Sequence, residues 1–388
     1  MTPASRGVGA PGAALRGHVT TGDRHDPHAQ ARAARAQPLL LHSLALFREV
    51  FAAVFTHCDI GTVVEIGVES GQVTEMYTGL GARRVYCVDP DPSPALRAAL
   101  GDNDAVRLIE QPSPAALAGL PAAELYVLDG DHNYATVRAE LEWILTRAPD
   151  AVIVLHDVLW PCGRRDLYYQ PTRLPAEARH PDSADGPTIW HDELTPTGFV
   201  GAGAFTTATH AGGEANGVLT AVEDAVAAAR DSWSLTVIPA VFGVGVLVRD
   251  GNPGAEAIRA ALSPYADSSL LAAMENNRLA LYTRVLQLQY EAAQHVREAD
   301  TLAERLHSSR QQLDQLTRRL HKAEQRHASD LAALEEAHQR LAAVSARQAT
   351  LRGAAAVIAE LAGDAARRRV RENPITRAVR RVLPGRRR

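Results

Sequence analysis

Residues 63–71 have the sequence VVEIGVESG, an apolar run that ends in a pair of glycines, Gly67 and Gly71. The run is typical of a buried β-strand, and the residues after it open a helix. Glycines let the backbone approach a ligand closely, and a helix N-terminus offers free N–H groups. Glu69 stands where a nicotinamide-binding turn would have its second glycine, which argues against a dehydrogenase. A tight turn without any ligand would also explain the two glycines.

Short apolar runs alternate with helix-like segments on both sides of this stretch. The spacing between the runs suits helical crossovers, so we expect a mainly parallel sheet, except for a last pair joined too closely for a crossover. The predicted fold is therefore α/β, a doubly wound Rossmann-like sheet with an antiparallel edge hairpin, followed by a long α-helical coiled coil. The predicted strands are Thr62–Ile66, Arg84–Val88, Val106–Ile109, Leu125–Leu128, Ala151–Leu155, Ser234–Ile238 and Val241–Val248.

Four regions follow from composition and periodicity. Residues 1–37 lack periodicity and are predicted to be disordered, whereas 38–255 carry the α/β domain and open with an amphipathic helix. Residues 256–350 are helical, and mostly apolar side chains at spacings of four and three between Leu302 and Ser345, with one stutter in the pattern, indicate a coiled coil. The simplest partner for such a helix is the same helix of another copy, which would form a homo-oligomer. The alternative is an antiparallel hairpin within the chain.

Residues 351–388 form a basic tail. Ten arginines and one glutamate lie in 367–388, although the whole chain has a net charge of −4. A short basic amphipathic helix there would suit peripheral contact with an anionic membrane, whereas a nucleic-acid partner is disfavoured because no recognisable binding module accompanies the arginines. No apolar stretch reaches the length of a signal peptide or membrane span, and three cysteines without paired spacing read as reduced thiols. We expect a cytoplasmic protein, with contact at the inner membrane face.

Acidic and imidazole side chains follow several of the predicted strands. Asp89 ends the second strand about twenty residues after the glycine turn, where an acid can accept both hydroxyls of a ribose; the alternative is a turn residue before Pro90. Asp129 and Asp131 follow the fourth strand, and His156-Asp157 follow the fifth. Because the carboxyl ends of neighbouring parallel strands share one edge, these groups should converge on a metal or acid/base site.

The combination resembles the class I S-adenosylmethionine (SAM)-dependent methyltransferases that modify sugars and natural products, in particular the macrocin and cephalosporin-hydroxylase-like O-methyltransferases. The motifs are Glu65-Ile-Gly-x-x-x-Gly71, Asp89, Asp129-Gly-Asp-His-x-Tyr134 and His156-Asp157-Val-x-Trp-Pro161. The resemblance covers roughly residues 40 to 250. It implies SAM as cofactor, a sugar or glycan hydroxyl as acceptor, and a divalent metal, Mg²⁺ or Mn²⁺.

The resemblance also assigns roles to individual residues. The cofactor would be bound by Glu65, Gly67, Gly71, Asp89, Ser113 and Asp129. Asp129, His156 and Asp157 would hold the cation, and Asp131 would be the general base. The family usually has a second acid where this chain has His156. Either the metal differs, or it has fewer protein ligands, or His156 is the base of a metal-free site, or His156 only packs the strand end.

A long Pro- and Gly-rich insertion, residues 160–217, is predicted to bind the acceptor, because long irregular segments inside a domain are usually functional. Its candidate contacts are Arg164, Arg165, Tyr168, Tyr169, His191 and His210. Two other functions stay open from sequence. One is methylation of a small aromatic hydroxyl, and the other is a non-catalytic scaffold that acts through its coiled coil and basic tail in surface-glycan assembly.

Overall fold

The computed structural model describes residues 26–36, 43–68, 70–101, 103–348 and 357–362. Ten strands lie in these ranges: β1 Thr62–Ile66, β2 Arg84–Val88, β3 Val106–Ile109, β4 Leu125–Leu128, β5 Val152–Leu155, β6 Leu167–Tyr169, β7 Asp182–Ser183, β8 Phe205–Ala208, β9 Trp233–Ile238 and β10 Val244–Arg249. The α-helices are α1 Ala29–Ala36, α2 Arg48–His57, α3 Thr74–Leu80, α4 Pro94–Gly101, α5 Tyr134–Arg147, α6 Val218–Ala228, α7 Ala255–Ala266 and α8 Ser269–Gln348.

Seven of the strands form one sheet in the order β3-β2-β1-β4-β5-β10-β9. Strands β1 to β5 run parallel to one another, whereas β10 runs antiparallel to both β5 and β9. The chain winds outward from β1 in one direction and from β4 in the other. The sheet thus reverses its strand order between β1 and β4, the position at which ligands bind in open α/β sheets. The predicted doubly wound sheet with its antiparallel edge hairpin is confirmed.

Two apolar layers cover the sheet. One packs side chains from α2, α3, α4 and α7 against it, and the other packs α5 and α6 against the opposite face. The central strands are β-branched and almost fully buried; Val63, Val64, Val152 and Val154 have no exposed surface. Such residues fit a strand that is covered on both faces.

The insertion after β5 contains structure that the sequence did not indicate. Strands β6, β8 and β7 form a small antiparallel sheet in that order. Its strands are only two to four residues long, too short to produce a periodic pattern. The insertion is therefore partly regular rather than an irregular loop.

The compact unit that contains the sheet runs to Gln294 rather than ending at residue 255. Helix α7 belongs to it because Ile258 and Leu262 are buried in the core. The predicted C-terminal helix is present as α8, and its part beyond Gln294 belongs to a second unit. Among the described residues, no helix combines the length and apolarity that a membrane span requires.

Two terminal predictions are only partly covered by the described ranges. Ala29–Ala36 form a short helix where the sequence predicts disorder, because the segment is rich in alanine, the strongest helix former. The rest of the predicted disordered segment, apart from residues 26–28, lies outside the described residues. So does the basic tail except for residues 357–362, which are helical.

Candidate functional site

The turn after β1 lies against the end of β4. A Cβ atom added to Gly67 would stand 2.2 Å from the carbonyl oxygen of Asp129, so no side chain fits there. Gly67 and Gly71 both have positive φ, 82° and 75°, which glycine adopts without steric cost. The glycine turn and Asp129 therefore lie next to each other at the ends of β1 and β4, where the strand order of the sheet reverses.

Asp89 and Ser113 lie at the same edge of the sheet. Asp89 directly follows β2, and its Oδ1 accepts a hydrogen bond from the N–H of Asp91 at 2.9 Å. One carboxylate oxygen thus shapes the turn, as the sequence alternative proposed, and the ribose role stays a prediction. The Ser113 hydroxyl is buried and interacts with the carboxyl group of Glu140 in α5, and its contact with the cofactor stays a prediction.

Glu65 points into the protein rather than along the crevice edge. The side chain is buried and accepts hydrogen bonds from the hydroxyls of Thr74 at 2.6 Å and Tyr77 at 3.4 Å. Burial raises the pKa of Glu65 to about 7, although the bond from Thr74 opposes the shift. Through these hydrogen bonds Glu65 connects β1 to α3, the two elements that flank the glycine turn. Direct contact of Glu65 with a cofactor stays a prediction.

Asp129, His156 and Asp157 form a cluster at the ends of β4 and β5. Each offers one ligand atom, and these atoms all lie within 4.8 Å of one another. Oδ1 of Asp157 is buried without a hydrogen-bond partner among the described residues. Asp157 also has a φ of 57°, a strained conformation of the kind that persists mostly at functional sites. The convergence expected from the strand ends is present.

Both ring nitrogens of His156 have partners. Nδ1 lies 2.9 Å from Oδ1 of Asp129, and Nε2 lies 2.9 Å from the carbonyl oxygen of Val241. Since a carbonyl oxygen only accepts, Nε2 carries a proton. Burial disfavours the charged ring, but the carboxylates of Asp129 and Asp157 outweigh burial and raise the pKa of His156 to about 9.

His132 joins the cluster although sequence reasoning did not select it. Its Nε2 lies 3.2 Å from Oδ2 of Asp157, and both side chains are largely buried. Its ring also lies 6.0 Å from that of Tyr169. Asp131, the predicted base, accepts a hydrogen bond from the Thr136 hydroxyl at 3.2 Å. The motif Asp129-Gly-Asp-His contained the signal for His132, but only the fold shows that its ring turns toward Asp157.

Three of the predicted acceptor contacts have structural partners within the insertion or in the adjoining helix α6. Arg164 forms a two-bond ion pair with Glu223 at 2.6 Å. Arg165 is buried and donates to the carbonyl oxygen of Ala208 at 2.7 Å. Tyr168 is buried, and its hydroxyl donates to Asp166 at 2.8 Å. These side chains hold the insertion together, and contact with an acceptor stays a prediction for them.

The other three predicted contacts are exposed. Tyr169 is 44% exposed and lies beside His132, so it alone of the six is next to the cluster in the described contacts. His191 lies 3.0 Å from the carbonyl oxygen of Glu193, and the ring of His210 packs on that of His180 at 5.0 Å. Tyr169 is therefore the candidate that the geometry favours for acceptor contact.

Residues 64–158 match the family model described as a methyltransferase domain. The match begins in β1 and ends just after Asp157, so it contains the glycine turn, Asp89 and the cluster. The methyltransferase resemblance predicted from the sequence is confirmed over this segment. The comparison with curated proteins found no match.

Several solved structures are similar to the chain. A candidate O-methyltransferase from Klebsiella pneumoniae is 17% identical over 62% of this chain and 94% of its own, with a TM-score of 0.35. A methyltransferase from Podospora anserina bound to SAH is 17% identical, with coverages of 56% and 85% and a TM-score of 0.35. An O-methyltransferase from Bacillus cereus in complex with SAH is 16% identical, with coverages of 57% and 88% and a TM-score of 0.34. TM-scores of this size establish no shared function, so the function proposed below is argued from the site's own residues.

Proposed function

We propose that this protein is a SAM-dependent O-methyltransferase whose acceptor is a hydroxyl of a sugar, glycan or glycosylated natural product. One observation carries the proposal. The Asp129–His156–Asp157 cluster lies directly beside the glycine turn of a methyltransferase-family domain. A methyl donor in the turn and a hydroxyl at the cluster would therefore be neighbours, as an in-line transfer requires.

The cofactor side of the crevice fits SAM. Gly67 leaves backbone free of a side chain at a position where a Cβ atom would collide with Asp129. Asp89 retains Oδ2 for a ribose hydroxyl while Oδ1 holds its own turn. SAM supplies an electrophilic methyl group on a sulfonium, and the protein positions it.

The cluster also fits a divalent cation, Mg²⁺ or Mn²⁺. His156 donates its Nε2 proton to a backbone carbonyl, the usual arrangement of a histidine whose other nitrogen binds metal. Its Nδ1 faces Asp129, and Asp157 has an orphaned buried oxygen. The imidazole ligand favours Mn²⁺ over Mg²⁺. A cation held by these three residues would stabilise the negative charge that develops on the acceptor oxygen.

Two residues are candidates to take the acceptor proton. Asp131 is the base implied by the resemblance, and its carboxylate is oriented by Thr136. His132 is the second candidate, because Asp157 orients its ring and the exposed Tyr169 adjoins it. An imidazole whose ring is oriented by a carboxylate can act as a general base. The ring of Tyr169 offers an apolar face on which a sugar can stack.

The test is methyl transfer from radiolabelled SAM to a panel of glycosides and simple phenols, with Mn²⁺, with Mg²⁺ and with EDTA. We expect the labelled methyl group to be transferred to a glycoside, and transfer in EDTA to be at least tenfold lower than transfer with Mn²⁺ or Mg²⁺. Asp157→Asn should abolish transfer, whereas Asp182→Asn, an exposed acid of the insertion, should not. Transfer to phenols alone would mean that the acceptor is an aromatic hydroxyl and not a sugar. Transfer that EDTA does not affect would mean that the reaction needs no divalent cation.

A further inference from the structure

The turn between β9 and β10 has an unusual backbone. Val241, Phe242 and Gly243 have φ values of 47°, 64° and 87°. Only glycine adopts this left-handed region without cost, and a β-branched valine there is an outlier. Surrounding contacts must therefore hold the turn in place.

Glu275, near the start of α8, holds one side of this turn. Its carboxylate oxygens accept the backbone N–H groups of Val241 and Phe242, both at 2.9 Å. Arg278 donates to both oxygens of Glu275 at 2.7 Å, and its guanidinium lies 4.4 Å from the centre of the Phe242 ring. Glu275 is 7% exposed, so these bonds lie in a weakly screened environment.

The carbonyl oxygens of the same three turn residues contact the end of β5. The oxygen of Val241 accepts from His156 Nε2 at 2.9 Å. The oxygens of Phe242 and Gly243 accept from the backbone N–H groups of Leu159 at 2.8 Å and Val158 at 3.3 Å. The turn thus connects two parts of the protein. Its N–H groups donate hydrogen bonds to Glu275, and its carbonyl groups accept hydrogen bonds from the segment that carries His156 and Asp157.

We infer that Glu275 is a positioning residue for His156. By fixing the N–H groups of the turn, it aims the Val241 carbonyl at Nε2 and so directs Nδ1 of His156 toward Asp129. The start of the long helix is therefore part of the active site, and does more than connect the domain to the second unit. The inference rests on the proposed function only in taking the cluster to be the active site.

The test is hydrogen–deuterium exchange measured by mass spectrometry on the full chain. Glu275→Gln keeps the shape of the side chain but removes the charge that binds the turn and Arg278. We expect peptides covering 241–243 and 156–159 to exchange at least tenfold faster. The matched control is Glu291→Gln on the same helix, whose carboxylate contacts Gln287 within α8 and should leave both peptides unchanged.

A spectroscopic readout separates positioning from simple anchoring of the helix. With ¹⁵N-labelled histidine, the Nε2–H proton of His156 should give a protected, downfield signal, assigned by its loss in His156→Gln. We expect the signal in the wild type and in Glu291→Gln, and its loss in Glu275→Gln. Retention of the signal, with faster exchange confined to 241–243, would overturn the inference.

Two further variants complete the design. Arg278→Gln keeps the carboxylate on the turn, so the His156 signal should persist; its loss would assign the role to the ion pair instead. If Glu275→Gln lacks a cooperative melting transition, Glu275→Asp replaces it with the same expectation, since its shorter side chain cannot reach both N–H groups. Calorimetry of SAM with the wild type tests the proposed function separately, because failure to bind SAM leaves the exchange result unaffected.

Discussion

Gly67 and Asp129 approach so closely that a Cβ atom on Gly67 would lie 2.2 Å from the Asp129 carbonyl oxygen. The contact joins the turn after β1 to the end of β4, the two elements that flank the reversal of strand order. Gly67→Ala should therefore push the turn away from Asp129 and also strain a backbone with φ of 82°. We expect a loss of at least about 2 kcal/mol in unfolding free energy and a more than tenfold weaker SAM affinity.

The matched control is Gly79→Ala. Gly79 lies within α3, and an added Cβ would meet nothing within 4 Å, so alanine should be neutral or stabilising. Chemical denaturation and calorimetry measure both effects. Equal behaviour of the two variants would mean that the turn tolerates a side chain and that Gly67 has no special role.

Glu140 predicts a pH dependence of stability. It is buried in α5, and burial, opposed by a hydrogen bond from Ser113 and reinforced by the Asp131 charge, raises its pKa to about 8. Between its ordinary pKa of 4.5 and about 8 the folded chain binds more protons than the unfolded chain, so stability falls as pH rises through this window. Glu140→Gln should remove that loss.

We expect the variant to exceed the wild type by roughly 5 kcal/mol at pH 9 and to match it near pH 4.5. Melting curves of both proteins across this range provide the measurement. A difference that does not change with pH would contradict the raised pKa.

Asp166 is expected to control the stability of the insertion. Its Oδ1 accepts the backbone N–H groups of Tyr134 and Gly217, both at 2.7 Å, and its Oδ2 accepts the Tyr168 hydroxyl at 2.8 Å. Asp166→Ala leaves three donors without a partner and should cost about 2–4 kcal/mol.

The control is Asp182→Ala, an exposed acid of the same insertion, which should cost less than about 0.5 kcal/mol. Differential scanning calorimetry compares the two. Limited proteolysis should cut Asp166→Ala first within 160–217, and cleavage elsewhere would argue against this assignment.

Self-association through the second unit is proposed from the seam of α8, the row of side chains at spacings of four and three between Leu302 and Ser345. Its leucines are more than half exposed, including Leu313 at 62% and Leu320 at 61%, and such a row of apolar side chains is expected to be covered by a partner. Replacing both leucines by aspartate should give a species of 41.7 kDa, the mass of one chain, in sedimentation equilibrium.

The control replaces Gln315 and Gln325, outside the seam, by aspartate and should keep the oligomer. A monomeric wild type would contradict self-association and leave the hairpin alternative. Dissociation of the control variant would show that added charge alone, rather than loss of the seam, separates the chains.

The sequence predicted those features that follow from local pattern. The central strands lie within one residue of their predicted ends, because each is a short β-branched run bounded by polar or turn residues. The acids and imidazoles at strand ends converge because parallel strands share one edge. His132 was within reach of the same reasoning, since it stands in the motif that contains Asp129.

The remaining features depend on contacts between distant segments. Glu275 and Val241 are separated in the sequence by β10 and α7, and no local sequence pattern indicates that they are in contact. The left-handed φ of Val241 runs against the preference of valine, so sequence propensity predicts the opposite. The sheet of β6, β7 and β8 escaped notice because strands of two to four residues carry no period.

Calorimetric titration of SAM into the full chain tests the central claim most directly, together with Asp89→Ala and with Asp59→Ala, an exposed acid just before β1, as the control. We predict micromolar binding by the wild type and by Asp59→Ala, and at least tenfold weaker binding, about 1.4 kcal/mol, by Asp89→Ala. Absence of binding to folded wild-type protein would contradict the claim that this crevice is a methyl-donor site.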